Sequence, residues 1–413
     1  MYTQIREGLA AAGGWRHRTG RQTVQVSRNV VYLGLTSFFT DISAEMVSTV
    51  LPIYLLFTLR VATFQLGLVD GLYQGATALV QVVAGGIADR GRHKEVAVVG
   101  YALSGLGKLG LLAAGGALGP VVGIVLADRA GKGIRTAPRD ALISLSSEPD
   151  HLGASFGVHR ALDTAGALLG PLVAFGLLAL VPGRFDTVFV VSACFAALGL
   201  ATLVVLVQGR AAPKEKRTHL SSKVALALLT RPRFLVLVLA GGGLGLVTIS
   251  DAFVYLSLQR RLGFDARFVP LLYVVTSFAY LALAMPVGRL ADRWRRDGVL
   301  VAGYVLLVLV YVALLAPGLG AALLIAVLLT FGAYYACTDG VMSALASAVL
   351  PEALRTTGLA LLQTVVALSR LVASALFGAL WTLGGLHATT EVFLAGLLIA
   401  LPVATLGLAR TAL

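Results

Sequence analysis

A helix needs about 20 consecutive apolar residues to cross the hydrocarbon of a bilayer, and runs of that kind recur from Asn29 to the C-terminus of this chain. No other feature narrows the possible folds so far. Of 413 residues, 58% are hydrophobic and 13% charged, the charged share being about half that of a soluble domain. Such a chain has too little polar surface to cover itself in water. The runs predict twelve spans, at 29–58, 64–88, 95–117, 119–146, 153–181 and 185–208, then 233–259, 265–291, 297–316, 319–348, 355–382 and 389–410. Residues 1–28 carry five arginines and no apolar core, so they read as a basic cytoplasmic tail rather than a secretory signal.

The net charge of +13 would suggest nucleic acid in a soluble protein. Here Lys and Arg fall between apolar runs, which is the loop pattern of a membrane protein, and no nucleic-acid partner is expected. Arg90, Arg92 and Lys94 lie on one side with Arg293, Arg295, Arg296 and the basic linker 209–232. The other side holds Arg60, Arg184, Arg260, Arg261 and Arg267. The bias puts both termini in the cytoplasm of a multi-pass cell-membrane protein. Within the linker, Ser221 to Thr230 could lie as a short helix on the membrane surface. The two cysteines, Cys194 and Cys337, both sit in apolar runs and form no metal motif.

The halves repeat. Residues 85–92 read GGIADRGR and residues 288–295 read GRLADRWR, an offset of 203. At that same offset Ala141-Leu142 falls on Ala344-Leu345 in the fourth span of each half. Two matches at one offset in equivalent helices imply duplication of a six-helix unit. The expected organisation is a tail (1–28), an N-terminal bundle (29–208), a linker (209–232) and a C-terminal bundle (233–413). Parallel repeats of this kind place a substrate path between them.

The two loop segments resemble the signature of the major facilitator superfamily, Gly-x-Leu-Ala-Asp-Arg-x-Gly-Arg-Arg, with Trp294-Arg295-Arg296-Asp297 departing from it in the second copy. Gly85 and Gly288 would let helices approach closely. Asp89 and Asp292 would accept from a helix N-terminus, and Arg90, Arg92 and Arg293 would pair with acids or phospholipid headgroups. The resemblance implies that this cluster gates the transport cycle. The fourth span holds Arg129-x-x-Lys132-Gly133, similar to the family's Arg-x-x-Gln-Gly motif, and implies proton transfer at Arg129. Asp128 and Lys132, four apart, could neutralise each other, while Arg135 and Arg139 would lie near the cytoplasmic mouth. In the fifth span Gly166-x-x-x-Gly170-Pro171 resembles the antiporter signature, without its final glycine pair, and predicts a close-packed, kinked helix. Arg160 and Asp163, three apart, form a possible internal pair.

Charges inside a membrane are costly and mark functional sites. Asp41 stands near the middle of the first span, with Glu45 one turn on. Asp251 and Tyr255 occupy the seventh span and Asp339 the tenth, with Lys108 and Arg370 as lone cations that could pair with these acids. The resemblance implies the facilitator fold: an all-α membrane protein with twelve helices in two six-helix bundles, working by alternating access. Helices one, four, seven and ten would present Asp41, Glu45, Arg129, Asp251, Tyr255 and Asp339 to a central cavity. No catalytic motif is seen, so no enzyme, cofactor or resident metal is expected. The expected function is proton-coupled efflux of a small organic solute or drug by a monomer, in contact with membrane lipid, solute and protons. Uptake or exchange of an anionic metabolite, motivated by Arg129, Lys132 and Arg135, is the first alternative. Divalent-metal transport through Asp41, Glu45 and Asp251 is the second.

Overall fold

A computed structural model describes residues 26–84, 93–114, 117–148, 151–209, 228–293, 295–318, 320–351 and 354–410. Its described residues form helices and no strand. They are α1 (Arg28–Ile53), α2 (Thr63–Ala84), α3 (His93–Ala113), α4 (Leu118–Leu145), α5 (Leu152–Leu180), α6 (Phe185–Val205), α7 (Pro232–Leu246), α8 (Asp251–Leu262), α9 (Val269–Arg293), α10 (Arg296–Leu315), α11 (Ala321–Thr338), α12 (Val341–Val349) and α13 (Arg355–Arg410). Nine stretches among the described residues are long and apolar enough to cross a membrane. Three spans separate this number from the sequence expectation of twelve, the first being α2, which is not among the nine. The helix α4 carries too many charges to qualify by composition, and α13 runs as one stretch although its backbone leaves helical geometry at Gly385 (φ 80°, ψ 170°). The Ser221–Thr230 segment falls largely outside the described residues.

The chain divides into two compact units. The first comprises Met1–Leu59, Leu79–Arg217 and Arg267–Val274, the second Arg60–Ala78, Thr218–Ala266 and Val275–Leu413. The division therefore differs from a cut at the linker: most of α2 goes with the second unit. The cause is close packing. On α2, Gly67, Gly71 and Gly75 recur every four residues and lie against Leu371, Ser374 and Gly378 of α13. A β-carbon on Gly67 would collide with the Ser374 carbonyl oxygen, and one on Gly378 with that of Thr63. The hydroxyls of Thr63 and Thr382 meet at 2.8 Å across the same contact.

In the first unit α1 packs on α5 and α6, and α3 on α4 and α6. Its start is fixed by polar groups. The Ser27 hydroxyl accepts from Val30 N–H at 3.4 Å. The Asn29 amide donates to Ser146 Oγ at 2.6 Å and accepts from Gln208 N–H at 2.7 Å, joining the first turn of α1 to the ends of α4 and α6. Beneath them Val30, Leu33, Ala97, Tyr101, Leu142 and Leu203 form an apolar core. Replacing Asn29 by Leu should cost about 1 kcal/mol by removing its bonds to Ser146 Oγ and Gln208 N–H, which is read as a lower melting temperature in detergent.

In the second unit α13 packs on α7 and α10, and α10 on α11. The seventh predicted span is broken between α7 and α8, at Val247–Ser250. Backbone groups left open in a membrane protein must find partners within it. One side chain meets two of them here: the buried Tyr311 hydroxyl accepts from Ile249 N–H at 2.7 Å and donates to the Val247 carbonyl at 3.0 Å. The tenth span is likewise divided, by Asp339 and Gly340 between α11 and α12. Cys194 is exposed and Cys337 buried, both as free thiols.

Candidate functional site

The fourth-span charges fall on one stripe because Asp128, Lys132, Arg135 and Arg139 are spaced by four, three and four residues. That stripe faces the interior of the first unit. Asp128 receives two cations: Lys108 of α3, and Arg129, whose Nε lies 3.0 Å from Asp128 Oδ2. Lys108, Asp128 and Arg129 are all buried. The expected pairing of Asp128 with Lys132 does not form, since Lys108 and Arg129 already occupy both carboxylate oxygens. Lys132 lies near Arg129, Asp41 and Glu45.

Arg135 and Arg139, expected near a cytoplasmic mouth, are 4% and 5% exposed and therefore belong to the interior. Arg135 lies over the Tyr101 ring at 4.3 Å and reaches Asp41 at 4.0 Å. Arg139 pairs with Asp140 at 2.9 Å and approaches Asp163 at 3.8 Å. Arg160 approaches the other Asp163 oxygen, also at 3.8 Å. Asp163 is fully buried. The close α1–α5 contact brings the Asp41 carboxyl near it. Both Asp163 oxygens and Asp41 Oδ2 are buried without a hydrogen-bond donor. The arginines thus supply opposite charge at a distance but leave these lone pairs unfilled.

The helices bearing this pair are held unusually close. A β-carbon at Gly166 would collide with the Phe38 carbonyl oxygen, and one at Gly170 would come 2.8 Å from Ile42 O and Glu45 Cβ. Phe38 precedes Asp41 by three residues and Gly166 follows Asp163 by three. The carboxyl pair therefore adjoins the tightest α1–α5 contact. Pro171 lies inside α5, which continues unbroken through it. Glu45 is buried and accepts from Ser48 Oγ at 2.7 Å. Sequence reasoning missed His159, fully buried, whose Nε2 lies 2.9 Å from Ser37 Oγ. Its position four residues before Asp163, on the same face, was an available signal.

The second unit gathers a different set. Asp251 begins α8 and accepts from the Tyr335 hydroxyl. Arg370 and Asp70 both lie near Asp251. Arg370 lies near Tyr334, Tyr335, Asp339 and Tyr304. Asp70 accepts from Ser374 Oγ at 2.6 Å and from Gln74 Nε2 at 3.2 Å. Tyr255, expected to face a cavity, is instead fully buried with its ring edge-on to Phe331. It packs because α8 turns that face into the aromatic cluster. Gly288 does not serve close approach: a β-carbon there meets nothing within 4 Å, and neighbouring Arg289 and Leu290 are exposed. Of the loop signatures, Gly85, Asp89, Arg90 and Arg92 lie outside the described residues, as does the Asp292 side chain; Arg293 is exposed.

Comparison with known proteins extends this picture. The family model for the Major Facilitator Superfamily matches residues 33–374 and 252–411. The chain belongs to that superfamily. An uncharacterized MFS-type transporter of Methanocaldococcus jannaschii is 32% identical over 385 residues, which is 91% of this chain and 95% of the relative. Among solved structures, a mutant of the nucleoside transporter NupG superposes with a TM-score of 0.77 at 15% identity, covering 92% of this chain and 99% of that one. A POT family transporter in complex with 5-aminolevulinic acid gives 0.74 at 14% identity, covering 95% and 99%. At such identity the structures establish the facilitator fold. This facilitator is thus a multi-pass membrane transporter of a small molecule, and not an enzyme.

Proposed function

We propose that the protein exports a small organic solute in exchange for protons, and that Asp41 and Asp163 carry the proton. The observation behind this reading is the facing carboxyl pair with three buried oxygens that have no donor. One proton between the two groups turns a pair of acceptors into a donor and an acceptor, which no rearrangement of the nearby arginines does at 3.8–4.0 Å. Carboxylates inside a membrane are the usual proton relays of pumps and transporters. The neighbouring Gly166 and Gly170 contacts couple the pair to the α1–α5 interface, so gain or loss of that proton acts where the helices are closest. The likeness of Gly166-x-x-x-Gly170-Pro171 to the antiporter signature favours export. A monomer in the cell membrane with both termini cytoplasmic, alternating between the two six-helix halves, is the setting of this mechanism.

Anion uptake has less support. Arg129 is held by Asp128, and Arg135 is engaged with Asp41 and the Tyr101 ring. If an anion is nevertheless the cargo, Arg129→Gln should abolish its protection against thermal unfolding. For divalent metal, no group of three or more His, Cys, Asp or Glu side chains is gathered among the described residues.

The test is flux in proteoliposomes with a solute panel, an imposed pH gradient and a proton-sensitive dye. Proton movement should appear only when a transported solute is present. Asp41→Asn and Asp163→Asn should each remove it while the protein still reconstitutes. A proton signal that no solute alters, or that both variants retain, would refute the reading.

A further inference from the structure

We infer that His159 is the acceptor that holds the coupling proton on Asp163: its Nδ1 takes the hydrogen bond of the Asp163 carboxyl whenever that group is protonated. This rests on the carboxyl-pair reading and adds a positioning residue to it. His159 is fully buried in α5, within the first unit. One ring nitrogen is placed: Nε2 lies 2.9 Å from Ser37 Oγ, and Ser37 Oγ lies 3.4 Å from the Tyr101 hydroxyl. Ser37 and Tyr101 are buried as well, so the chain of polar groups runs from α5 through α1 to α3 inside the bundle. The other nitrogen, Nδ1, is buried and has no hydrogen-bond partner. A buried polar atom left in that condition needs a reason.

Position supplies the partner. His159 and Asp163 are four residues apart, on one face of α5. Side chains of a helix lean toward its N-terminus, so Asp163 leans over the turn that carries His159. Ser37 and Asp41 have the same spacing on α1. The two helices run in the same direction, since Gly34 lies against His159, Phe38 against Gly166 and Ile42 against Gly170. The His159–Ser37 bond is therefore one turn before the two acids along the same contact. The type of each unpaired atom then decides what passes between them. Both Asp163 oxygens lack a donor. If Nδ1 carried the imidazole hydrogen, it would be a donor one turn from those oxygens and would pair with them. A bare Nδ1 sets acceptor against acceptor, which is the pattern found. The imidazole hydrogen is then on Nε2 and goes to Ser37, which donates in turn to Tyr101. A proton on Asp163 completes the arrangement, because its O–H donates to Nδ1 while the imidazole stays neutral. His159 thus favours the loaded pair over the empty one. The other ionisable groups around the ring are Asp41 of α1, Tyr101 of α3, Arg139 and Asp140 of α4, and Arg160 of α5. Arg139 pairs with Asp140 at 2.9 Å, and none of these groups bonds Nδ1.

The experiment follows the carboxyl proton itself, by infrared difference spectroscopy of the full-length protein in detergent across pH, with no solute added. The band of a protonated carboxyl should grow on acidification and be lost in Asp163→Asn. In His159→Gln, whose amide still reaches Ser37 but offers nothing at Nδ1, the pH of half-loading should fall by about one unit, tenfold in proton affinity. His159→Asn, whose amide extends only as far as Nδ1, should restore most of that loss. An unchanged midpoint in His159→Gln overturns the inference and leaves the carboxyl pair standing. A carboxyl band that neither Asp41→Asn nor Asp163→Asn removes overturns the carboxyl pair, and the inference with it. A second measurement needs no substitution at position 159. It is nitrogen NMR of histidine-labelled protein in which the other five of the six histidines are replaced by glutamine. Nδ1 should carry no hydrogen at about pH 8 and should become a hydrogen-bond acceptor as the carboxyl loads toward about pH 5. A hydrogen on Nδ1 at the start, or an Nδ1 signal that stays fixed while the carboxyl band grows, overturns the inference.

Discussion

Asp128→Asn should lower the stability of the protein by about 3–5 kcal/mol, seen as a large drop in melting temperature in detergent. The side chain is the shared partner of Lys108 and Arg129, and all three are buried. Removing its charge takes from buried Lys108 and Arg129 the carboxylate they share. A buried pair is costly to break from one side because the surviving charge keeps its desolvation penalty and loses its compensation. The second variant that tests this is Asp128→Asn with Lys108→Met, which withdraws one of the stranded cations. It should recover a substantial part of the loss. If the double variant is as unstable as the single one, the cost lies in packing rather than in charge.

Gly166→Val should be comparably damaging, at about 3 kcal/mol or enough to prevent accumulation of folded protein. The first added carbon already collides with the Phe38 carbonyl oxygen, which belongs to a helix backbone and cannot rotate away. The only relief is separation of α1 from α5, and that also parts Asp41 from Asp163. The control is on the same helix. Gly176 has nothing within 4 Å of its added carbon, so Gly176→Ala should be neutral or stabilising by up to about 1 kcal/mol. Expression level and melting temperature of the two variants, measured side by side, decide whether position or mere loss of glycine matters.

Much of the architecture was legible because membrane helices announce themselves by length and apolarity. The predicted starts at Asn29, Glu95 and Gly119 lie within two residues of the first residues of α1, α3 and α4. The helix break at Val247–Ser250 was not legible as such. A cluster of glycines from Gly241 to Gly245 followed by Ser250-Asp251 is a stop and a start signal in close succession, but continuous apolarity masked it. The Arg160–Asp163 approach follows from spacing along one helix. Lys108 with Asp128 does not: twenty residues and a turn separate them, and helical periodicity carries no information about which helices become neighbours. The same limit hid the Asp41–Asp163 pair, whose members were each identifiable as costly charges but not as partners. Asp70 was passed over because the span around it reads as a glycine-rich apolar helix. Its hydrogen-bond partner Ser374 is more than three hundred residues away.

The Tyr311 hydroxyl that bridges the break between α7 and α8 has a consequence for the order in which the chain is assembled. The helices on either side have 15 and 12 residues, and each is shorter than the ~20 that span a bilayer on their own. Their junction exposes an amide and a carbonyl that await a residue more than sixty positions downstream. During synthesis the seventh span therefore enters the membrane with its middle incomplete, and it is finished only when α10 follows it in. Tyr311→Phe should expose this dependence: about 1–3 kcal/mol lost for each backbone group left open, and more protease-sensitive nascent protein than a core substitution of equal cost elsewhere in α10.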